Sequence, residues 1–115
     1  MVELAGFRAM LEREPSIISE IFTESELGYT SQFGDPAPRL AARFAAKEAT
    51  MKALGVGIDA VEWREIGIVR DDLGSPFLVI TGSARELADR LGLARWVVSL
   101  SHSESVAMSV VVAEG

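Results

Sequence analysis

The apolar residues recur with a helical period in the first half of the 115-residue chain and with a strand period in the second half. Phe7, Met10 and Leu11 have the spacing of an amphipathic helix, which Pro15 interrupts. Residues 2–4 fit only the tail of a strand. The chain is therefore expected to begin with a strand end followed by a helix.

Local capping signals mark the helices that follow. A short helix is predicted over residues 16–22, and Thr23 with Glu26 fits a capping box that begins another helical turn. The longest helix is predicted over residues 37–54, where Gly55 closes it as a C-terminal cap. Its many alanines leave little bulk, so another element can approach its backbone closely.

The second half predicts two antiparallel hairpins with a helix between them. Strands over residues 65–70 and 76–81 flank a turn, and a short helix follows over residues 84–91. Residues 95–101 and 106–113 predict the second hairpin. The last run is apolar on both faces, which predicts a central, covered strand. Helices followed by mostly antiparallel strands predict an α+β fold in which a sheet packs on the long helix.

The composition is that of one globular domain spanning residues 1–115. Hydrophobic residues make up 49% and charged residues 24% of the chain, which argues against disorder. The sequence has no cysteine, which excludes disulfides, thiolate metal sites and a cysteine nucleophile. No stretch approaches the roughly 18 apolar residues that a membrane helix needs, and no secretory signal is recognisable, so we expect a cytoplasmic protein.

The charge is unevenly distributed along the chain. The net charge of −6 disfavours general binding to nucleic acid or to anionic membranes. Residues 36–57 nevertheless hold four basic side chains and one acidic one. An anionic ligand would be attracted to this segment, although a charged helix face in water has the same sequence pattern.

Arg39, Arg43 and Lys47 recur at intervals of four and lie along one helix face. Like charges at this spacing repel by a few tenths of a kcal/mol per pair, so either water screens them or an anion lies across them. Glu48 and Lys52 have the spacing of a surface ion pair. The alternative is that Glu48 holds Mg²⁺ while Lys52 contacts phosphate, because Mg²⁺ takes few carboxylates and fills its other positions with water and phosphate oxygens.

His102 is the single histidine of the chain and lies at the end of a predicted strand. It is either a structural residue or a group that donates to phosphate or exchanges a proton near neutral pH. Gly55, Val56 and Gly57 form a helix stop. As a phosphate-binding loop they are a weak signal, since the sequence lacks both the Walker pattern and the dinucleotide fingerprint.

The pattern aromatic-Ala-x-Lys-Glu-Ala-x-x-Lys occupies residues 44–52. It resembles the signature helix of the 4′-phosphopantetheinyl transferases, in particular the small bacterial holo-[acyl-carrier-protein] synthase branch. Residues 21–27, 71–76 and 98–102 match segments that flank this helix in the family. The resemblance covers essentially the whole chain.

This resemblance implies an activity and a site. It implies a homotrimer with active sites between subunits, which transfers phosphopantetheine from coenzyme A to a serine of apo-acyl carrier protein and releases 3′,5′-ADP. It implies Mg²⁺ held by Glu48, which would also help a water to deprotonate the serine, and Lys52 against the diphosphate. It leaves Lys47 open between a structural ion pair and a site residue. The other residues that it implies around the nucleotide and its 3′-phosphate are Arg43, Gly55, Val56, Gly57 and His102.

The resemblance is incomplete at the start of the chain. The family opens with a strand reading Gly-x-Asp, whose aspartate is a second metal ligand, and Met1 corresponds to the position just after it, so the first strand is expected to be truncated. The alternative function is a catalytically impaired domain that binds coenzyme A or carrier protein, as part of a larger fatty-acid or polyketide synthase. For an acidic carrier protein, Arg8 and Arg13 are the basic residues available on the first helix.

Overall fold

The computed structural model of the protein describes residues 1–57 and 60–115. The helices are α1 (Leu4–Arg13), α2 (Ile17–Ile21), α3 (Glu24–Thr30), α4 (Ala37–Ala53) and α5 (Gly82–Arg90). The strands are β1 (Val2–Glu3), β2 (Ile66–Arg70), β3 (Pro76–Ile80), β4 (Arg95–His102) and β5 (Val106–Glu114). One turn of 3-10 helix, Trp63–Glu65, leads into β2. The predicted helices and both predicted hairpins are confirmed.

The strands form two antiparallel sheets beside the long helix. β5 lies between β1 and β4, while β2 pairs only with β3. Ala107 faces Val2 of β1 on one side and His102 of β4 on the other. Helix α4 packs across β5 and β4 and also touches β2. This arrangement confirms the predicted α+β fold with an antiparallel sheet on a long helix.

Small side chains allow α4 to approach the sheet. Ala41, Ala42, Ala45 and Ala46 are all buried in this interface. Because an alanine adds little bulk to the helix surface, the helix backbone lies close to β5. This close packing fixes the position of the polar side chains on the flanks of α4 relative to the sheet. The fold therefore presents two flanks of one rigid helix.

Capping chemistry fixes where the helices begin and end. The backbone N–H of Glu26 donates to Thr23 Oγ1 (3.1 Å), and the N–H of Thr23 donates to Glu26 Oε1 (2.9 Å), so the predicted capping box is confirmed. Gly55 ends α4 with a φ of 74°, a conformation that favours glycine, which confirms the predicted helix stop.

The central position predicted for β5 is confirmed, but the predicted cover on both of its faces is wrong for the single chain. The described residues leave Met108, Val110 and Val112 44%, 61% and 53% exposed, and Val97 of β4 lies on the same outer face. The sequence pattern could not separate cover by this chain from cover by another. Within residues 1–57 and 60–115, no helix is long and apolar enough to cross a membrane.

Candidate active site

Helix α4 presents its candidate residues on two opposite flanks. Each residue of an α-helix turns by about 100°, so Glu48 and Lys52 are rotated by about 140° and 180° from Arg43. Arg39 and Arg43 lie on the first flank, with the side chain of Arg43 buried (1% exposed). Glu48 is half-buried and Lys52 is exposed on the second flank. The predicted site residues therefore fall into two groups within one chain.

The first group lines a cavity of about 370 Å³ between α3, α4, β2 and the end of β4. Three guanidinium groups reach this cavity, and two of them lie over the ring of Tyr29, with Arg43 at 4.8 Å and Arg70 at 5.4 Å from its centroid. Arg39 lies over Phe33 at 3.5 Å. Guanidinium groups are attracted to aromatic faces, so the ring of Tyr29 in α3 and the ring of Phe33, which follows α3, hold all three cations in place. The remaining lining residues are Ala42, Leu100, Ser101 and His102.

These three arginines keep their positive charge unpaired. In the described part of the chain none of them forms an ion pair, and the Nε atoms of Arg43 and Arg70 are buried without a hydrogen-bond partner. Burial, and secondly the charge of Arg70, lowers the pKa of Arg43. A buried donor without a partner costs free energy, and an anion in the cavity would remove that cost. We call this cavity the arginine pocket.

The structure corrects one of the two sequence interpretations of the Arg39, Arg43 and Lys47 row. The solvent-screened helix face is wrong for Arg43 and Lys47, which are 1% and 0% exposed. Arg43 Nη1 donates to the carbonyl oxygen of Arg39 (3.1 Å). The row therefore divides: its first two members line the arginine pocket, and its third enters the core.

Lys47 forms a buried ion pair with Glu26, with Nζ 2.8 Å from Oε1. Its ammonium group also donates to the carbonyl oxygens of Trp63 and Ile66. An ammonium group has three donors, so all of them have protein partners. Burial lowers the pKa of Lys47, and Glu26 opposes this effect. The geometry favours the structural alternative for Lys47, because direct binding of a cofactor would require this ion pair to open.

The second group lies at the C-terminal end of α4. Among the ion pairs of the described residues, none joins Glu48 to Lys52, so the surface ion pair considered from the sequence is not formed. Lys52 lies in the last turn of the helix, directly before Gly55, Val56 and Gly57. A carboxylate and an ammonium group that do not neutralise each other can bind a cation and an anion together.

The protein side chains at this end of α4 could bind Mg²⁺ only together with phosphate groups of a substrate. Within the described ranges there is no group of three or more His, Asp or Glu side chains that could hold a metal by itself. Mg²⁺ is commonly bound by one or two carboxylates, with substrate phosphates and waters as its other ligands. Glu48 therefore fits as the protein ligand of a shared metal–phosphate site.

A cavity of about 580 Å³ begins at Phe44, one turn before this second group, and nothing in the sequence indicated it directly. Glu20, Glu62 and Arg64 contribute to its lining, but most of the lining is apolar, and we call it the apolar cavity. Phe44, one turn before Glu48, stacks on Trp63 with centroids 5.1 Å apart and planes 13° apart. Met10 of α1 and Ile17 of α2 contribute to the lining. The sequence also did not identify Tyr29 and Arg70 as site residues, because Tyr29 of α3 and Arg70 of β2 lie far from Arg43 along the chain.

Comparisons with known proteins agree with this architecture. The sequence model of the 4′-phosphopantetheinyl transferase superfamily matches residues 1–111. The holo-[acyl-carrier-protein] synthase of Moorella thermoacetica is 39% identical over 114 residues, which cover 99% of this chain and 89% of that protein. The corresponding synthase of Streptomyces avermitilis is 44% identical over 115 residues, which cover 100% and 93% of the two chains.

Solved structures of similar proteins have the same fold. The synthase of Neisseria meningitidis superposes with a TM-score of 0.86 at 38% identity, covering 99% of this chain and 93% of that one. The synthase of Helicobacter pylori, solved in complex with coenzyme A, superposes with a TM-score of 0.85 at 26% identity, covering 98% and 95%. Because sequence and fold match along nearly the whole length, the chain belongs to the 4′-phosphopantetheinyl transferase superfamily.

Proposed function

We propose that this chain is a holo-[acyl-carrier-protein] synthase that transfers 4′-phosphopantetheine from coenzyme A to a serine of apo-acyl carrier protein. The observation that carries the proposal is the pairing of an unneutralised arginine pocket with an unpaired Glu48 and Lys52 on one helix. Coenzyme A has a matching distribution of charge, with a diphosphate and a separate 3′-phosphate. Curated relatives of similar length carry this activity in their names.

The reaction is a phosphoryl transfer. The serine oxygen attacks the β-phosphorus of coenzyme A, the bond from that phosphorus to the bridging oxygen breaks, and 3′,5′-ADP leaves. Glu48 would hold Mg²⁺, which when bound supplies positive charge to the diphosphate oxygens. Lys52 neutralises charge on the same diphosphate. The Gly55–Gly57 segment follows directly, although the N–H groups of Gly55 and Val56 already donate to the carbonyl oxygens of Lys52 and Met51. The serine proton leaves to a water that Glu48 orients, so catalysis rests on alignment and charge.

The arginine pocket receives the 3′-phosphate of the nucleotide. Arg43 and His102 are among the residues that the family resemblance implies around the nucleotide, and Arg39 and Arg70 line the same pocket. Because the Nε atoms of Arg43 and Arg70 have no partner in the described protein, a phosphate oxygen satisfies donors that are otherwise buried and unpaired. His102 is exposed at the rim, where it can donate to the same phosphate.

One chain does not complete this site. Since Arg43 and Glu48 lie about 140° apart around α4, the pocket and the metal ligand face different directions. A second copy would supply the missing half, so that the diphosphate end lies on one subunit and the 3′-phosphate end on its neighbour. The exposed apolar face of β4 and β5, with Val97 and Val110, is the surface expected to bury in a homotrimer.

The carrier protein would dock beside α1. The basic residues predicted to attract it, Arg8 and Arg13, behave differently in the structure: Arg8 forms a two-pronged ion pair with Asp35 (3.0 and 2.6 Å), whereas Arg13 is exposed at the end of α1. On the helix, Arg13 lies about 60° from Met10, which lines the apolar cavity. We therefore expect Arg13, rather than Arg8, to contribute more to docking.

A transfer assay tests the function. The purified chain is incubated with apo-acyl carrier protein, coenzyme A and Mg²⁺, and mass spectrometry follows the addition of one phosphopantetheine group. Glu48→Gln and Lys52→Met are expected to lose roughly a hundredfold or more in kcat, while the matched surface control Glu86→Gln retains wild-type activity. Wild-type chain that binds coenzyme A but transfers nothing would favour the catalytically impaired alternative. A chain that does neither would contradict the proposal.

A further inference from the structure

The buried ion pair between Glu26 and Lys47 has no part in the transfer chemistry, yet it joins four segments of the fold. Lys47 Nζ lies 2.8 Å from Glu26 Oε1 and donates to the carbonyl oxygens of Trp63 (3.2 Å) and Ile66. The other oxygen of Glu26 accepts from the backbone N–H of Ile68 (2.9 Å). Helices α3 and α4 are thereby fixed to the 3-10 turn and to β2.

A buried ion pair is not itself evidence for stability. Removing two charges from water costs free energy, and well-packed apolar side chains often replace such a pair without loss. The ion pair differs from an apolar contact in one respect, which is that it directs backbone carbonyl groups. Because both carbonyl oxygens point at one ammonium group, the chain from Trp63 to Ile66 has a fixed orientation relative to α4.

That orientation determines one wall of the apolar cavity. Trp63 stacks in nearly parallel fashion on Phe44, which lies one turn before Glu48 on α4, and both rings line the cavity. Lys47 anchors the backbone of the same tryptophan from inside the protein. A shift of the carbonyl of Trp63 would therefore tilt its ring against Phe44 and change the shape of the cavity.

We propose that Lys47 and Glu26 are positioning residues that hold the Trp63–Phe44 wall in the shape the carrier protein requires. This inference rests on the proposed function, which places the carrier protein beside α1 and this cavity. It separates two roles: Lys52 and the arginine pocket bind coenzyme A, and the buried pair shapes the surface for the second substrate. Loss of the pair should thus raise the KM for carrier protein and leave the KM for coenzyme A unchanged.

The test compares a single and a double variant. Lys47→Met leaves Glu26 as an unpaired buried carboxylate and is expected to lower Tm strongly. The double variant Glu26→Gln/Lys47→Met has no buried charge, so its Tm should recover most of that loss. Methionine cannot donate to the carbonyl of Trp63, so the double variant should still show a KM for carrier protein raised roughly tenfold or more. Arg85→Met, which removes one half of an exposed ion pair, is the matched control and should change neither KM.

A role confined to stability predicts that the KM for carrier protein returns together with Tm, and that result would overturn the proposal. If neither variant folds, the KM for carrier protein is measured in Trp63→Leu instead. This substitution keeps the backbone carbonyl and the ion pair but removes the indole ring that forms the wall of the cavity. An unchanged KM for carrier protein in Trp63→Leu would also overturn the proposal, and a raised KM with unchanged coenzyme A binding supports it.

A readout that does not depend on activity separates this proposal from the proposed function. The chain contains two tryptophans, so a Trp96→Phe background reports Trp63 alone. In this background the double variant should show a red-shifted emission and stronger quenching by acrylamide than the intact pair. Failure of the function with a shifted Trp63 spectrum would overturn the proposed function and the role in carrier-protein binding, while the coupling of the buried pair to Trp63 would stand. An unshifted spectrum would overturn the positioning role.

Discussion

Replacing Arg43 by methionine tests the arginine pocket most directly. The substitution keeps much of the apolar volume of the side chain and removes the guanidinium that lies over Tyr29. If this group binds the 3′-phosphate, the variant should lose affinity for coenzyme A but not for dephospho-coenzyme A, which lacks that phosphate. The two ligands share the diphosphate, so their comparison isolates the pocket from the Glu48 and Lys52 end.

The burial of Arg43 sets the expected magnitude. An exposed ion pair contributes about 0–1 kcal/mol, whereas a hydrogen bond to a charged group away from water contributes about 1.5–3 kcal/mol. Arg43 is 1% exposed, so the higher range applies. It corresponds to a rise in the dissociation constant of coenzyme A of about 10- to 150-fold. The variant should fold well, because it also removes a buried Nε that has no hydrogen-bond partner in the described protein.

Isothermal titration calorimetry with each ligand, in the presence of Mg²⁺, gives the two affinities. Tm is measured in parallel, and Arg85→Met serves as a control for loss of one surface arginine. Equal weakening of both ligands would show that Arg43 acts on the diphosphate or on the fold. An unchanged affinity for coenzyme A would refute the assignment of this pocket to the 3′-phosphate.

Three further outcomes are expected. Val110→Glu on the outer face of the sheet should convert a trimer to a monomer in light scattering and abolish transfer; a variant that stays trimeric would contradict the assignment of this face to the subunit interface. Arg13→Glu should raise the KM for carrier protein more than Arg8→Glu does. This KM should also depend more steeply on salt concentration in the wild type than in Arg13→Glu, and equal effects of the two substitutions would contradict the docking assignment. The hydroxyl hydrogen bond from Ser83 is the largest of the causes that lower the pKa of Glu65 below its ordinary value of 4.5. The ionised Glu65 carboxylate therefore contributes to the stability of the fold above pH 4.5, and this contribution is lost as the pH falls through the lowered pKa. Glu65→Gln should thus lower Tm at pH 7 more than at pH 3, and a constant difference in Tm would contradict this.

The elements of the fold were predictable because their signals are local. The capping box at Thr23, the glycine stop at Gly55 and the β-rich runs of β4 and β5 each depend on residues a few positions apart. The position of Glu48 and Lys52 on one flank of α4 follows from helix geometry in the same way. These features require no knowledge of what packs against the helix.

The surroundings of Arg39, Arg43 and Lys47 could not be predicted from local sequence signals. Spacing places Arg43 and Lys47 near one flank, but their burial depends on Tyr29 and Glu26 of α3 and on Arg70 of β2, which are distant in sequence. Like charges at four-residue intervals look the same whether water, an aromatic ring or a buried carboxylate lies opposite. The exposure of the outer face of β5 is a similar case, because an apolar run does not show whether the same chain or another one covers it.

The way the cations of α4 are held explains how an acidic protein can attract a polyphosphate. A carboxylate opposite Arg43 would satisfy its guanidinium and cancel its positive potential, as Glu26 does for Lys47. The ring of Tyr29 instead holds two guanidinium groups by its face and leaves their net charge intact. The four bases of this segment are therefore not equivalent: Lys47 forms a buried ion pair, and the other three have no ion-pair partner among the described residues. The overall charge of −6 repels anions at long range, so binding depends on these few unpaired groups at short range, where burial strengthens each contact.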